Sequence, residues 1–256
     1  MVSKMKILIL DIETSPNDAW VWGIWQQNIG LNQLKGATRT LSWAAKWYHK
    51  DEVMYASERT HSHEDMIRIV YDLINEADVV VGWNSKNFDR KHLNREFIEL
   101  GLPPTTQATD VDLLNVVRKH FKFPSNKLDY VAGVLLGEHK LDTGGFALWV
   151  ECMNGNKEAW KKMEDYNIED ALLTERMYDR LKGWITNHPN HGLYIEDQED
   201  PVCRNCGGSH VIKKGQEYDA TGMFAYQRYK CTDCGANLRG RRHIKGGIKK
   251  SPQVLK

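Results

Sequence analysis

The order of patterns along the chain predicts an α/β fold, in which a mixed β-sheet has helices packed on its faces. Short apolar runs come first, a strand–helix–strand pattern follows, and segments with helical periodicity extend to about residue 190. The composition then changes to a segment that carries two Cys-x-x-Cys pairs. We therefore predict an α/β domain over residues 1–190, a linker over 191–201, a small cysteine-bearing module over 202–242 and a basic tail over 243–256.

Two continuous apolar runs predict strands that are buried on both faces. Residues 5–11 contain Ile7-Leu8-Ile9-Leu10, and residues 78–83 read Asp-Val-Val-Val-Gly-Trp. The tryptophan-rich segments and shorter runs between and after them predict further strands at 19–26, 40–48, 53–56 and 108–110.

Helices are predicted where apolar residues recur every three or four positions. The longest pattern runs from Lys157 to Ile185, and its stripe includes Trp160, Met163, Leu173 and Met177. The other predicted helices are 63–76, 88–100, 111–121 and 127–136.

Composition and charge exclude several classes of protein. A chain of 256 residues with 41% hydrophobic and 27% charged residues is ordinary for a globular protein, and no apolar run is long enough to cross a bilayer. The first residues lead into a strand and not into a signal peptide, so we expect an intracellular, cytoplasmic protein without membrane contact. The net charge of +1 combines +9 (12 basic against 3 acidic residues) over 201–256 with −8 (23 against 31) over 1–200. An acidic body with a basic appendage fits a nuclease joined to a nucleic-acid binder, although solvated surfaces would give the same balance.

Four acidic residues occupy positions that folding alone does not favour. Asp11 and Glu13 are two residues apart at the end of the first strand, so their side chains leave the same face. Asp89 lies in the first turn of a helix, and Asp170 interrupts the apolar stripe of the longest helix. Each has a plain alternative: a strand that ends in a polar turn, a charge that stabilises a helix terminus, or a salt bridge. Together they are better explained as a metal site.

The chemistry of that site follows from charge repulsion. Carboxylates about 4 Å apart repel by roughly 4 kcal/mol per pair at an effective dielectric constant of 20, so cations must accompany them. A set of oxygen ligands favours Mg²⁺ or Mn²⁺ over Zn²⁺. Two such ions activate water and stabilise the leaving oxygen of a phosphodiester.

Three motifs in order along the chain resemble those of the DEDD exonucleases, which have the ribonuclease H-like fold. Asp-x-Glu matches Asp11-Ile12-Glu13, Asn-x-x-x-Phe-Asp matches Asn84 through Phe88-Asp89, and the Tyr-x-x-x-Asp of the tyrosine (DEDDy) subgroup matches Tyr166 through Asp170. The resemblance implies 3′-to-5′ removal of nucleotides with two metal ions. It further implies metal ligation by Asp11, Glu13, Asp89 and Asp170, orientation of water by Tyr166, substrate contacts by Asn84 and Phe88, and a supporting role for Asp110.

The C-terminal module is predicted to be a zinc ribbon. Cys203 and Cys206 form one knuckle and Cys231 and Cys234 the other, and four thiolates without an open position are typical of structural zinc. His210 is an alternative ligand. A module this small has little core, so metal binding must supply most of its folding free energy.

Basic and aromatic residues in this module predict contacts with the phosphate backbone, and binding should then weaken steeply with salt. A protein-docking ribbon, for instance for a replication or repair protein, is the alternative. The proposed contacts are Arg228, Lys230, Arg239, Arg241 and Arg242, followed by Lys245, Lys249 and Lys250.

We therefore predict a 3′–5′ exonuclease that uses two Mg²⁺ or Mn²⁺ and one Zn²⁺, acts on nucleic acid with a 3′ end, and favours DNA over RNA. An endonuclease on the same scaffold and a non-catalytic nucleic-acid adaptor are the alternatives. The tryptophans between Trp20 and Trp47 are predicted to be core residues, with stacking on a frayed terminal base as the other reading.

Overall fold

The chain forms two compact units, one of residues Lys6–Tyr178 and one of Asp179–Lys256 with Met1–Met5. A computed structural model describes residues 5–106, 108–195, 200–219, 222 and 224–244. The acidic part of the predicted linker, 196–199, and the predicted tail from Lys245 to Lys256, with Lys249 and Lys250, lie outside the described residues. No helix in the described part of the chain is long and apolar enough to span a membrane.

The first unit contains a five-stranded mixed sheet in the order β5-β4-β1-β6-β7. The central strand β1 pairs antiparallel with β4 and parallel with β6, and β6 pairs parallel with β7. The prediction of a mixed sheet flanked by helices is confirmed. The strands are β1 (Ile7–Thr14), β2 (Asp18–Ala19), β3 (Leu34–Gly36), β4 (Thr40–Trp47), β5 (Val53–Ser57), β6 (Val79–Gly82) and β7 (Thr109–Asp112).

Alternation along β1 separates the core from the candidate site. Leu8, Leu10 and Ile12 belong to a buried cluster that includes residues of the first two helices. The intervening positions, including Asp11 and Glu13, therefore leave the opposite face of the strand. The helices of this unit are α1 (His63–Glu76), α2 (Asp89–Glu99), α3 (Leu113–His120), α4 (Leu128–Leu136) and α5 (Ala147–Met153), and α6 (Lys157–Leu181) begins in it.

A second buried cluster joins α5 and α6 to Leu41 of β4. It contains Cys152, Trp160, Met163 and Tyr166, so the predicted apolar stripe of the long helix is buried. Cys152 is 1% exposed and packs in this cluster as a small apolar residue. This packing sets α6 against the sheet at the face from which Asp11 and Glu13 project.

The predicted strand over 19–26 is wrong. Only Asp18–Ala19 is a strand, and its partner β3 has three residues, so the pairing cannot extend further. The burial predicted for Trp20, Trp22 and Trp25 is wrong as well, since these side chains are 70%, 98% and 83% exposed. A tryptophan-rich pattern predicted a buried strand, but no strand or helix among the described residues covers this segment. Trp43 on β4 is buried, as expected.

The second unit contains a three-stranded antiparallel sheet in the order β10-β9-β8. Asn205, which is buried beside the first cysteine pair, donates hydrogen bonds of 2.9 Å to the carbonyl oxygens of Lys182 and Ile185. The strands are β8 (Val211–Tyr218), β9 (Ala225–Cys231) and β10 (Asn237–His243), and β10 was not predicted from the sequence.

Candidate active site

The carboxylates of Asp11, Glu13 and Asp170 meet at the face of β1 that α6 covers. One oxygen from each lies within 4.8 Å of one from each of the others. Asp11 and Glu13 share this face because side chains alternate along a strand, and Asp170 reaches it because the buried stripe of α6 packs there. The structure thus brings together three acids that are separated by up to 159 positions in the sequence.

Asp89, the fourth predicted acid, lies beside this group but is not part of it. It begins α2 and is 4% exposed, and its Oδ1 accepts a hydrogen bond of 3.2 Å from the backbone N–H of Ile12. Its charge still raises the pKa values of Asp11 and Glu13. The four residues therefore form one electrostatic unit around β1.

Burial and mutual repulsion raise the pKa values throughout this unit. Burial is the largest cause for Asp11, whose pKa is raised well above the usual value, and the charges of Asp170 and Asp89 add to it. The pKa of Glu13 rises to about 8 and that of Asp89 to about 7, in both cases chiefly through burial. Carboxylates with such pKa values bind protons at neutral pH unless a cation compensates their charge.

Lys140 supplies one such cation. Its Nζ lies 2.5 Å from Oδ2 of Asp170 and 4.8 Å from the centre of the Tyr166 ring. Burial raises the pKa of Asp170 while Lys140 opposes that rise, and burial together with Asp170 raises the pKa of the Tyr166 phenol. Lys140 could not be selected from sequence patterns, because it lies outside any periodic segment.

The donor set fits a hard cation. It consists of carboxylate oxygens, and Oδ1 of the buried Asp170 has no hydrogen-bond partner among the residues that the structure describes. A buried carboxylate oxygen without a partner is costly, so a bound cation would satisfy it.

Asn167 fixes the orientation of the Asp11 carboxylate. Its Nδ2 lies 2.7 Å from Oδ2 and 3.3 Å from the carbonyl oxygen of Asp11, and its Oδ1 accepts a hydrogen bond of 3.0 Å from Ser42 Oγ. The side chain is fully buried. Sequence reasoning missed it, although a polar residue next to Tyr166 on a packed helix was a usable signal.

The second predicted motif lies in the connection from β6 to α2. Asn84 adopts a left-handed backbone conformation with φ of 65°, and its N–H donates to Oδ1 of Asp112 at 3.0 Å. Phe88 precedes α2 and is 37% exposed. Asp110 does not join the carboxylates and instead lies 3.3 Å from Arg90.

A pocket of about 560 Å³ opens beside Asp11 and Asn84. Basic side chains supply part of its lining, so a phosphate chain entering the pocket would meet positive charge next to the acidic group. The pocket includes Trp83, Arg118, Lys127, Asp129 and Lys140.

A sequence model of the RNase H superfamily matches residues 8–182, which include all of these carboxylates. The chain belongs to the RNase H superfamily.

The relatives of this RNase H superfamily member include catalytic subunits of DNA polymerase delta. The subunit of Schizosaccharomyces pombe is 26% identical over 117 residues, which are 43% of this chain and 10% of the relative. That of Candida albicans is 25% identical over 153 residues, with 46% and 15% covered, and that of Oryza sativa subsp. japonica is 33% identical over 70 residues, with 27% and 6% covered. The chain therefore spans 6–15% of the length of these relatives. The family and these similarities support a nuclease.

This RNase H superfamily member carries a second candidate metal centre in its C-terminal unit. The sulfur atoms of Cys203, Cys206, Cys231 and Cys234 lie within 4.8 Å of one another. The Cys203–Cys234 and Cys206–Cys231 sulfur pairs are 3.6 Å apart, too far for a disulfide. Four converging thiols can hold a metal ion. His210 is 2.9 Å from Asp233 and is not part of this group.

The basic residues predicted to bind nucleic acid lie on the exposed sheet of the same unit. Arg228 and Lys230 are exposed on β9, and three arginines are exposed on β10. Arg239 stacks over the ring of Tyr226 at 4.6 Å, and it also lies 3.8 Å from Glu217. The other two exposed arginines of β10 are Arg241 and Arg242.

Proposed function

We propose that the chain is a metal-dependent 3′–5′ exonuclease that removes nucleotides from DNA in preference to RNA. The observation that carries this proposal is the convergence of the Asp11, Glu13 and Asp170 carboxylates. Among the described residues, Lys140 is the one cation that forms an ion pair with a member of this group. Tyr166, one helical turn before Asp170, matches the tyrosine subgroup of 3′–5′ exonucleases. The similarity to subunits named as DNA polymerases supports DNA as the substrate.

The carboxylates would hold two Mg²⁺ or Mn²⁺ ions, which supply an activated water and stabilise the leaving oxygen of a phosphodiester. Asp11, Glu13 and Asp170 contribute the converging oxygens, and Asp89 contributes from the start of α2. Asn167 keeps the Asp11 carboxylate in its orientation.

Tyr166 would position the water through its phenol. Because burial and the charge of Asp170 raise the phenol pKa, the hydroxyl keeps its proton at neutral pH and remains a hydrogen-bond donor. Lys140 lies against both Tyr166 and Asp170 and would attract the scissile phosphate. Arg118 and Lys127, which line the pocket, would hold neighbouring phosphates.

The deciding experiment follows cleavage of single-stranded DNA labelled at its 5′ end, in Mg²⁺ and in Mn²⁺. An exonuclease of this polarity shortens the labelled strand one nucleotide at a time, whereas an endonuclease gives internal fragments from the first turnover. Asp170→Asn should abolish cleavage, and Glu164→Gln on the same helix should not, because Glu164 pairs with Lys161 away from the carboxylate group. A wild-type protein inert toward both DNA and RNA would favour the non-catalytic adaptor.

We further propose that the C-terminal unit is a zinc ribbon that binds the phosphate backbone through its exposed arginines. The four converging thiols support the zinc, and the exposed basic residues of β9 and β10 support the binding. Replacement of Arg241 and Arg242 by alanine should then weaken DNA binding and reduce its dependence on salt. A ribbon that docks a protein would leave both unchanged.

A further inference from the structure

Both cysteine knuckles of the C-terminal unit pack on the turn that follows the long helix. This turn covers residues 182–185, begins directly after the end of α6 at Leu181, and belongs to the same compact unit as the four thiols. The sequence predicts a module that starts at residue 202 after a linker, and it gives no sign of contacts with a turn 20 positions earlier. The turn is therefore a part of this unit that the cysteine pattern alone does not reveal.

The first knuckle is fixed to the turn by the side chain of Asn205. This residue lies between Cys203 and Cys206 and is 3% exposed. Its Nδ2 donates hydrogen bonds of 2.9 Å to the carbonyl oxygens of Lys182 and Ile185. Both hydrogens of the buried amide are thus committed to the turn.

The second knuckle meets the same turn at Gly183. A Cβ atom at this position would lie 2.0 Å from the carbonyl oxygen of Cys234 and 3.3 Å from the backbone nitrogen of Ala236. No side chain can be accommodated at such distances, so the two backbones approach as closely as they do because residue 183 is a glycine.

The contacts of the first knuckle continue to residue 191. Arg204 donates a hydrogen bond to the carbonyl oxygen of His188, and the carbonyl oxygen of Arg204 accepts one of 2.9 Å from the N–H of His191. His188 is fully buried, and its ring stacks on that of His191 with 5.1 Å between the ring centres. Residues 182–191, which we call the support segment, therefore contact both knuckles.

Asn205 connects the support segment to a metal-ligating atom. Its side chain holds the turn, and its backbone N–H donates a hydrogen bond to the sulfur of Cys203. The sulfur atoms of the two knuckles lie within 4.8 Å of one another, so a small displacement of either knuckle would spoil the arrangement of the four thiols. Groups that orient metal ligands without touching the ion usually change metal affinity by about 10–100-fold.

We propose that the support segment is a structural part of the zinc centre, with Asn205 and Gly183 as positioning residues, and that loss of the ion releases this segment from the knuckles. The inference rests on the proposed zinc site. In a module with little core, the free energy of metal binding is also folding free energy, so contacts that the knuckles make are lost with the ion. The metal-dependent folding unit would then include the turn after α6 and would not begin at residue 202.

The first test measures zinc affinity by competition with a chromophoric chelator, with excess Mg²⁺ present. Asn205→Leu keeps the approximate volume of the side chain but loses both hydrogen bonds to the turn. Gly183→Ala places a methyl group against the carbonyl oxygen of Cys234. Each variant should bind zinc about 10–100-fold more weakly than wild type.

Matched controls come from β10 of the same unit. Asn237→Leu makes the same exchange at an exposed position. Gly240→Ala adds a methyl group whose nearest neighbour would be 3.4 Å away. Both controls should bind zinc like wild type.

A second measurement uses the wild-type chain alone and so does not depend on how well a variant folds. Hydrogen exchange of backbone amides is followed with zinc bound and after zinc is removed by a chelator selective for zinc over Mg²⁺. The amide of His191, which donates to Arg204, should lose its protection when zinc is removed. The amide of Cys231, which donates to Ala236 within the second knuckle, reports the loss of the metal-bound structure itself.

The outcomes separate the proposed zinc site from the role of the support segment. A wild-type protein that binds no zinc would refute the site and the inference with it. If wild type binds zinc and both Asn205→Leu and Gly183→Ala bind it equally well, only the inference is overturned. The same holds if the His191 amide stays protected in zinc-free protein while the Cys231 amide does not.

Discussion

The ammonium group of Lys140 lies 2.5 Å from Oδ2 of Asp170, within a group of carboxylates that repel one another. It is the counter-charge that lets the site form before any metal arrives. Asp170 is 1% exposed and Lys140 is 28% exposed, so the pair is shielded on one side only. The two groups therefore connect the stability of the nuclease unit to the occupancy of its metal site.

Lys140→Met should lower the free energy of unfolding of the metal-free protein by about 1–3 kcal/mol. Breaking a fully buried ion pair costs about 3–5 kcal/mol, and the loss is smaller here because Asp170 can take up a proton. Saturating Mn²⁺ should restore much of the loss, since the cation replaces the missing charge. Thermal melts in EDTA and in Mn²⁺ measure both effects. Lys162→Met, at an exposed position of α6, is the control, and equal melts of wild type and Lys140→Met in EDTA would contradict this role.

Asn167→Leu should weaken metal binding by about 10–100-fold, the usual loss when a group that orients a metal ligand is removed. The variant keeps the volume of the side chain but loses both hydrogen bonds to Asp11. Calorimetric titration with Mn²⁺ gives the affinity. Ser42→Ala, which removes only the hydroxyl that donates to Asn167 Oδ1, should have a smaller effect. Equal Mn²⁺ affinity of wild type and Asn167→Leu would show that the hydrogen bonds to Asp11 do not orient the metal ligand.

His63 should make the stability of the nuclease unit depend on pH. Hydrogen bonds with Glu58 and then Glu96 raise its pKa from 6.5 to about 9, and burial opposes them. Because the pKa is raised in the folded state, protonated His63 stabilises the fold fully below pH 6.5, and this stabilisation is lost as the pH rises through about 9. Urea unfolding at pH 6.0, 7.5 and 9.5 should therefore show a steeper decline for wild type than for His63→Gln.

The site carboxylates titrate in the same range of pH, so the two proteins are compared at the same Mg²⁺ concentration. Parallel curves for wild type and His63→Gln would rule out this contribution of His63.

Cys203→Ala should abolish zinc binding to the C-terminal unit, because it removes one of four converging thiols. Metal analysis of the purified wild type should give about one zinc ion per chain. Cys152→Ala is the matched control: that cysteine is buried in the other unit and outside the thiol group, so its loss should leave the zinc content unchanged. Full zinc content in Cys203→Ala would refute the four-thiol site.

Local patterns predicted the elements that position the acids. The periodicity of α6 placed Asp170 on a face that packs, and the apolar run before Asp11 identified β1 as a buried strand. Both patterns depend only on side-chain spacing within one element. The convergence of these acids was inferred from repulsion between like charges, and the structure shows it for three of the four.

Groups that act across long sequence separations escaped prediction. Lys140 meets Asp170 from a loop without periodicity, and Asn167 meets Asp11 across 156 positions. The Asp112 carboxylate caps α3 and accepts a hydrogen bond from the backbone N–H of Asn84. The strand pattern around Asp112 does not reveal either contact. The exposure of Trp22 also could not be read from sequence, since an aromatic run that lacks a covering neighbour has the same pattern as one that is covered.

The division of the tryptophans between interior and solvent gives the protein two optical populations. Trp43 is 2% exposed and Trp160 is 7% exposed, and their emission comes from a dry environment. The indoles of Trp20, Trp22 and Trp25, in the loop that follows β2, emit from water at longer wavelength and are open to a soluble quencher such as iodide. Light emitted at the red edge of the spectrum therefore reports on this loop together with Trp184, which is 50% exposed, and no label has to be attached to observe it.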